Sequence, residues 1–147
     1  AGSVAAHAAK AGAAVAARVR PLALLDVLRG IEGDLAGDAP WDVAVCINMM
    51  HIAPPACSEG LFQVCSKALR PGGFLLTYGP YCVDGFMVPS NKDFDLRLKR
   101  ADPSFGIREL RDLERLAAAC GFTLEAAHEM PANNLVLIWR FASMPLQ

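Results

Sequence analysis

The chain has 147 residues, 54% of them apolar and 20% charged, and a formal net charge of -1. A chain of that length and apolarity is expected to fold as one soluble globular domain around a real core, and its charge balance gives no electrostatic reason to expect nucleic acid or an anionic membrane as a partner. No apolar run approaches the roughly 20 residues that a membrane span requires.

The chain opens at Ala1 rather than at methionine, which points to processing or to an upstream part outside this numbering. Up to Leu25 it carries Ala, Arg, Lys and Ser but no acid, a composition that suits an organelle transit peptide as well as a helix. Alanine, a strong helix former, dominates residues 3–17, with Ser3 as N-cap and Arg18 and Arg20 favouring the carboxyl end. After Pro21, LALLDV predicts a strand ending at Asp26, and GIEGDLAGDAP, rich in Gly, Asp and Pro, predicts a loop.

The apolar run 43–47 predicts a buried strand that breaks into Asn48 and His51, around Met49 and Met50, before Pro54 and Pro55 open a helix over 54–69. In that helix Leu61, Val64, Cys65, Ala68 and Leu69 share one apolar stripe, with Ser58, Glu59, Gln63, Ser66 and Lys67 outside it. Arg70-Pro71-Gly72-Gly73 stops the helix, because proline cannot continue it and glycine accepts a left-handed turn. Residues 74–78 predict a second buried strand, ended by Gly79-Pro80. The stretch 81–103 is irregular and long for a simple connection, and 91–100 within it predicts a short lid helix. A helix over 107–120 follows, with Leu110, Leu113, Leu116 and Ala117 inward and Gly121 as its stop. Strands over 122–129 and 135–141 come last; the loop between them is too short for a crossover helix, so the pair is expected to be an antiparallel hairpin.

Five cysteines, with no CxxC pair and no nearby histidine spacing typical of zinc, read as reduced, mostly buried thiols rather than as a disulfide or metal framework. They place the protein inside the cell, in the cytoplasm, with organelle targeting as the alternative.

Three features, in their order, resemble the class I S-adenosylmethionine-dependent methyltransferases: a strand ending in Asp26, the LRPGG helix stop before a strand, and a helix, AACGF and terminal hairpin. More narrowly, INMMHIAPPACSEGLF, TYGPY, SNKDFDLRLKRADPSFGIREL and EMPANNLVLIWRF resemble the methyltransferase-like 26 family, also catalogued as the domain of unknown function 938 group, over residues 3–141. The resemblance implies one partial α/β domain over 1–141 with a tail over 142–147. Its Rossmann-like class I methyltransferase sheet would be mostly parallel, with a C-terminal antiparallel hairpin, and would lack its first two strands. Members begin with a strand and an E-x-G-x-G-x-G loop, then a second strand whose acid takes the ribose hydroxyls; neither is present here. The implied cofactor, S-adenosylmethionine, is therefore expected to bind the complete protein, and its binding to this chain alone is in question. An apolar sheet edge left open in this way is expected to favour self-association and marginal stability.

Methyl transfer chiefly requires alignment of nucleophile, methyl and sulfur, with a base in some cases, and no nucleophilic side chain. On the resemblance, Asp26 would face the adenine amino group, and Asn48 with Met49 and Met50 would wall the methionine and sulfonium end. A local turn bond is the plain alternative for Asp26, a turn cap for Asn48, and simple packing for the methionines. His51, with an ordinary pKa of about 6.5, is a candidate general base, against the commoner fate of a structural histidine. Tyr81 and Asp95 are further catalytic candidates. Gly79, Asn91, Phe94, Arg108, Asn133 and Asn134 are candidates for the substrate side, with core packing, a solvated face or turn geometry as their alternatives. The two function classes these readings leave are a methyltransferase of unknown small-molecule or protein acceptor and a non-catalytic interaction protein on the same fold. A nicotinamide-linked Rossmann half is disfavoured by the terminal hairpin and LRPGG.

Overall fold

The structure, a computed structural model, describes residues 6–7, 10–20, 23–31 and 39–143. Its elements are α1 (Ala13–Ala16), β1 (Trp41–Ile47), α2 (Pro55–Ala68), β2 (Leu69–Gly79), β3 (Tyr81–Cys82), α3 (Pro89–Ala101), β4 (Arg108–Glu109), α4 (Leu110–Ala119), β5 (Phe122–Met130) and β6 (Asn134–Phe141).

The main sheet has the order β1-β2-β6-β5. β1 and β2 run parallel, and β6 runs against both β2 and β5, so three of the four strands point one way. This is the expected mixed sheet with its terminal hairpin. β3 and β4 form a separate parallel pair, Tyr81 opposite Arg108 and Cys82 opposite Glu109.

One face of the sheet is the core. Leu75, Leu137 and Trp139 are fully buried there and meet Phe62 of α2 and Leu113 and Ala117 of α4. The helix stripe Leu61, Val64, Cys65, Ala68 and Leu69 is buried as the periodicity requires. Ser58 and Ser66, assigned by that periodicity to the outside, are buried too, because α2 is enclosed over most of its circumference. All five cysteines are free thiols, three of them buried. Burial pushes Cys65 up to about 12, which keeps it a neutral, inert packing group.

The opposite face is open. Register places Val43, Phe74 and Arg140 in one cross-strand row, Val45, Leu76 and Ile138 in the next, and Ile47, Tyr78 and Val136 in the third. Val43 is 49% exposed and Val45 and Ile47 are each 62% exposed. The expectation that 43–47 would be a buried strand is corrected: it is a strand, but no described element packs on this side.

Two further expectations change. The helix expected over 3–17 is interrupted at Gly12, whose φ of 98° breaks the helical path: Ala6, His7 and Lys10 are helical before it and α1 resumes after it; Ser3 lies outside the described residues. No strand forms at 23–26, and 27–29 is a turn. The reason is local: the Asp26 carboxylate accepts the Leu28 N–H at 3.0 Å and pairs with Arg29, and a strand there has no described partner. Among the described residues, no helix is long and apolar enough to cross a membrane.

The turn after Asp26 nevertheless packs tightly on α2. A β-carbon on Gly60 would stand 2.5 Å from the Val27 carbonyl oxygen and 3.0 Å from its carbon. Gly60→Ala is therefore expected to cost about 1–3 kcal/mol through forced displacement of backbone, measured as a lower urea midpoint. A loss under about 0.5 kcal/mol would mean that this turn does not rest on α2.

Candidate functional site

β1 ends at Ile47, and Asn48 turns the chain with φ of 57°, a left-handed conformation that asparagine tolerates better than most residues. Its N–H donates to the Tyr78 carbonyl at 2.9 Å, so the turn begins beside the carboxyl end of β2. A 3₁₀ turn, Met50–Ile52, then brings His51 over Gly79. A β-carbon on Gly79 would lie 3.3 Å from His51 Nδ1 and 3.7 Å from Asn48 Oδ1, so glycine is what lets both side chains sit against the strand end.

The turn is held from behind by Arg108. Its guanidinium donates to the carbonyls of Met50 at 3.1 Å, Ser104 at 3.2 Å and Ala53. The His51 carbonyl accepts the Gly106 N–H at 3.0 Å. Arg108 was expected on the substrate side; here it does not line the cleft, its Nε and Nη2 groups are given to backbone carbonyls, and it positions the turn that carries His51.

α3 supplies the opposite wall. Asn91, Phe94, Asp95 and Leu98 fall at i, i+3, i+4 and i+7, one inward stripe that includes two buried polar residues. Asn91 Nδ2 donates to the Asn133 carbonyl at 3.0 Å, and Asn133 Nδ2 donates back to Ser90 Oγ at 3.0 Å, tying the start of α3 to the β5–β6 loop. Ala132 and Asn133 of that loop both adopt positive φ, near 60°. Asn134 Nδ2 donates to the Tyr78 hydroxyl at 3.0 Å.

These elements enclose a cleft of about 590 Å³ at the carboxyl ends of β1 and β2, lined by Asn48, His51, Ile52, Pro80, Ser90, Asn91, Phe94, Ala132, Asn133 and Asn134. This position is where open α/β sheets place ligands. Six residues expected at the site thus converge: Asn48, His51, Asn91, Phe94, Asn133 and Asn134. The lining contains no Asp, Glu, Lys or Arg. Sequence reasoning missed Ser90 and Ile52 as lining residues; the Pro89-Ser90 pair, a helix opening next to Asn91, was the available signal for Ser90.

His51 is 6% exposed and stacks edge-on against Phe94, ring centroids 5.6 Å apart. Among the described residues neither of its ring nitrogens has a hydrogen-bond partner. Burial first, and the Arg108 charge second, push its pKa below the ordinary 6.5, so the ring is neutral at pH 7 and able to accept a proton. Folded His51 holds a proton less readily than the unfolded chain does. Its share of stability is therefore full above about pH 6.5 and is lost as pH falls through the lowered folded value. The urea midpoint is expected to drop more steeply between about pH 7 and pH 5 in the wild type than in His51→Gln; parallel curves would contradict the depressed value.

Other expected site residues are placed elsewhere. Met50 is 4% exposed and belongs to the core, and Met49 packs against it, so neither side chain walls the cleft. The Tyr81 hydroxyl donates to Thr77 Oγ1 at 2.9 Å inside the core, and burial raises its pKa to about 12, which removes it as a base at the cleft. Asp95 accepts the Ile107 N–H at 2.8 Å and pairs with Lys99 at 2.5 Å, anchoring α3 to the segment before β4. Asp26 is engaged in its own turn. Gly79 acts by the space it leaves for His51.

Comparison with known proteins agrees with this architecture. The sequence model of a family described as "Protein of unknown function (DUF938)" matches residues 1–141. Among solved structures, the chain is similar to CalO1, a methyltransferase in calicheamicin biosynthesis in its SAH-bound form, at 21% identity with a TM-score of 0.61, over 76% of this chain and 34% of that one. It is similar to the mitomycin 7-O-methyltransferase MmcR at 19% identity and a TM-score of 0.62, over 75% of this chain and 33% of that one. Human N-acetylserotonin methyltransferase in complex with SAM matches at 17% identity and a TM-score of 0.60, over 77% and 33%. At these identities the likeness is one of fold. The chain spans about a third of the length of these solved chains.

Proposed function

This chain belongs to the DUF938 family, and from that premise we propose that its cleft is the acceptor-side half of an S-adenosylmethionine-dependent methyltransferase site. The observation that carries the reading is the convergence of Asn48, a neutral His51 and the Asn91, Asn133 and Asn134 amides at the carboxyl ends of two parallel strands. The narrower resemblance to the methyltransferase-like 26 family belongs to the same proposal.

The residues present fit one end of that cofactor. Its amino-acid portion carries both a carboxylate and an ammonium, and the Asn48 amide offers a donor and an acceptor to such a pair. Its sulfonium is a cation, and the lining holds no Lys or Arg to repel it, while the Arg108 guanidinium is turned to backbone carbonyls. No carboxylate lines the cleft for the ribose hydroxyls, so we assign that hold, and the adenine, to an E-x-G-x-G-x-G segment and the strand after it, which these 147 residues do not contain.

When bound, the cofactor supplies an electrophilic methyl group. The chain's own residues supply the rest: Asn91 and Asn133 orient the acceptor, the Phe94 ring narrows the cleft, and a free His51 nitrogen takes the proton that an acceptor hydroxyl or amine loses as its new bond to carbon forms. The acceptor is a small molecule or a protein side chain.

Calorimetry with S-adenosylmethionine tests the reading. The expected result is weak or no binding by this chain and micromolar binding once a glycine-loop segment is joined upstream. In that longer form His51→Ala should lower methyl transfer by about a hundredfold or more while leaving cofactor affinity intact. Failure of both forms to bind removes the methyltransferase reading.

One observation favours a second reading, an interaction protein on the same fold. The face carrying Val43, Val45 and Ile47 is apolar and open, and open faces of this kind mark contact surfaces.

A further inference from the structure

Beside the cleft, across the Asn91 to Asn133 bridge, lies a second cavity of about 300 Å³. The two share Asn91, Asn133 and Asn134 as a common wall. The far side is different in character: it is made by Tyr81, Val83, Phe86, Met87, Met130 and Leu135. One acid, Glu129, is also in the lining.

Phe86 is 64% exposed, Met130 39% and Val83 38%, so three large exposed apolar residues of the described chain border this one small hollow. Their exposure is built in. Val83 and Phe86 exchange backbone hydrogen bonds at 3.0 and 2.9 Å, and the Asp84 and Gly85 N–H groups between them both donate to the Glu109 carboxylate at 3.1 Å. Every N–H of that tight turn is satisfied, so the backbone that carries Phe86 is fixed where the ring lines the cavity while remaining largely exposed. Lys92 Nζ stands 5.9 Å from the same ring.

We propose that this cavity is a binding subsite for an uncharged aromatic group. Two rings, Tyr81 and Phe86, and two thioethers, Met87 and Met130, line it, and both kinds of group favour contact with a further ring. Glu129 disfavours an anionic occupant and Lys92 a cationic one, while the shared amides give a neutral polar edge toward the cleft. Resting on the methyltransferase reading, the aromatic group is the apolar end of the acceptor, whose reacting atom lies in the adjoining cleft on the His51 side.

The test is methionine-methyl NMR on this chain with 2-naphthol as the probe, resonances being assigned from single Met→Leu variants. Saturable shifts of the Met87 and Met130 methyls, with Met49 and Met50 unmoved, are expected. Phe86→Ala, at an exposed position outside the core, should weaken this binding about fivefold. No shift at Met87 and Met130 at millimolar probe, equal shifts at all methionines, or unchanged affinity in Phe86→Ala would each overturn the subsite. The outcomes separate the two readings: aryl binding with no cofactor binding in either form leaves the subsite and removes the methyltransferase, whereas cofactor binding without aryl binding does the reverse.

Discussion

Trp139→Ala is expected to cost about 3–5 kcal/mol, a large share of the roughly 5–15 kcal/mol that a domain has to lose. The indole is fully buried at the centre of the sheet's core face and meets the Phe62 ring edge-on at 5.2 Å. Removing it leaves a cavity between β6 and α2 that two packed layers cannot close. Its Nε1 also donates to Thr77 Oγ1 at 3.1 Å, the same oxygen that accepts the Tyr81 hydroxyl at 2.9 Å. Thr77→Val keeps the shape and removes that acceptor, leaving two buried donors unpaired at about 1–3 kcal/mol each. Urea unfolding followed by circular dichroism measures both. If Thr77→Val proves neutral while Trp139→Ala is severe, the core depends on volume alone and the three-residue network contributes nothing.

The second large effect concerns assembly. Among the described residues β1 is the outer strand of the sheet and its other edge is unpaired, presenting Trp41-Asp42-Val43-Ala44-Val45-Cys46-Ile47 with no lysine or proline to block pairing. Two copies related by a twofold axis can pair this strand antiparallel with itself, an interface that is self-complementary by symmetry. The pairing sets the Val43, Val45 and Ile47 side chains, now about half or more exposed, beside their symmetry mates on one continuous face. We therefore expect this chain to self-associate at micromolar concentration. Val45→Lys should shift the sedimentation profile to monomer, because the lysines of the two copies would stand as like charges on the paired edge strands. A wild-type chain that sediments as a monomer at high concentration would eliminate this mode.

Much of the site was legible because local chemistry announces it. Asn48 and His51 interrupt an apolar run, Gly79-Pro80 ends a strand, and Asn133-Asn134 follow a proline in a hairpin loop; each pattern marks a strand end on its own. Arg108, Asp95 and Tyr81 read as equally functional, since a sequence shows which donors and acceptors a residue owns and not which are already spent. Arg108 turns to three carbonyls, Asp95 holds Ile107 and Lys99, and Tyr81 points to Thr77. Met50 and Ala53 lie 58 and 55 positions from Arg108 and Ile107 lies 12 from Asp95, so only folding brings those together, while Ser104, Lys99 and Thr77 stand four positions from their partners and were within reach of a local reading. Asp26 failed for a related reason: LALLDV has strand character, but a strand exists only where another strand pairs with it.

By itself the sequence determined the helices from α2 onward, the two principal strands and the closing hairpin, because periodicity, proline and glycine act within a few residues. It also showed that the 43–47 run is apolar on both faces. Only the tertiary structure decided that no described element covers one of those faces, that α3 and the β5–β6 loop close on His51 through paired asparagines, and that a second cavity lies beside them. Those features depend on contacts between residues some forty positions apart, and no local pattern carries that information.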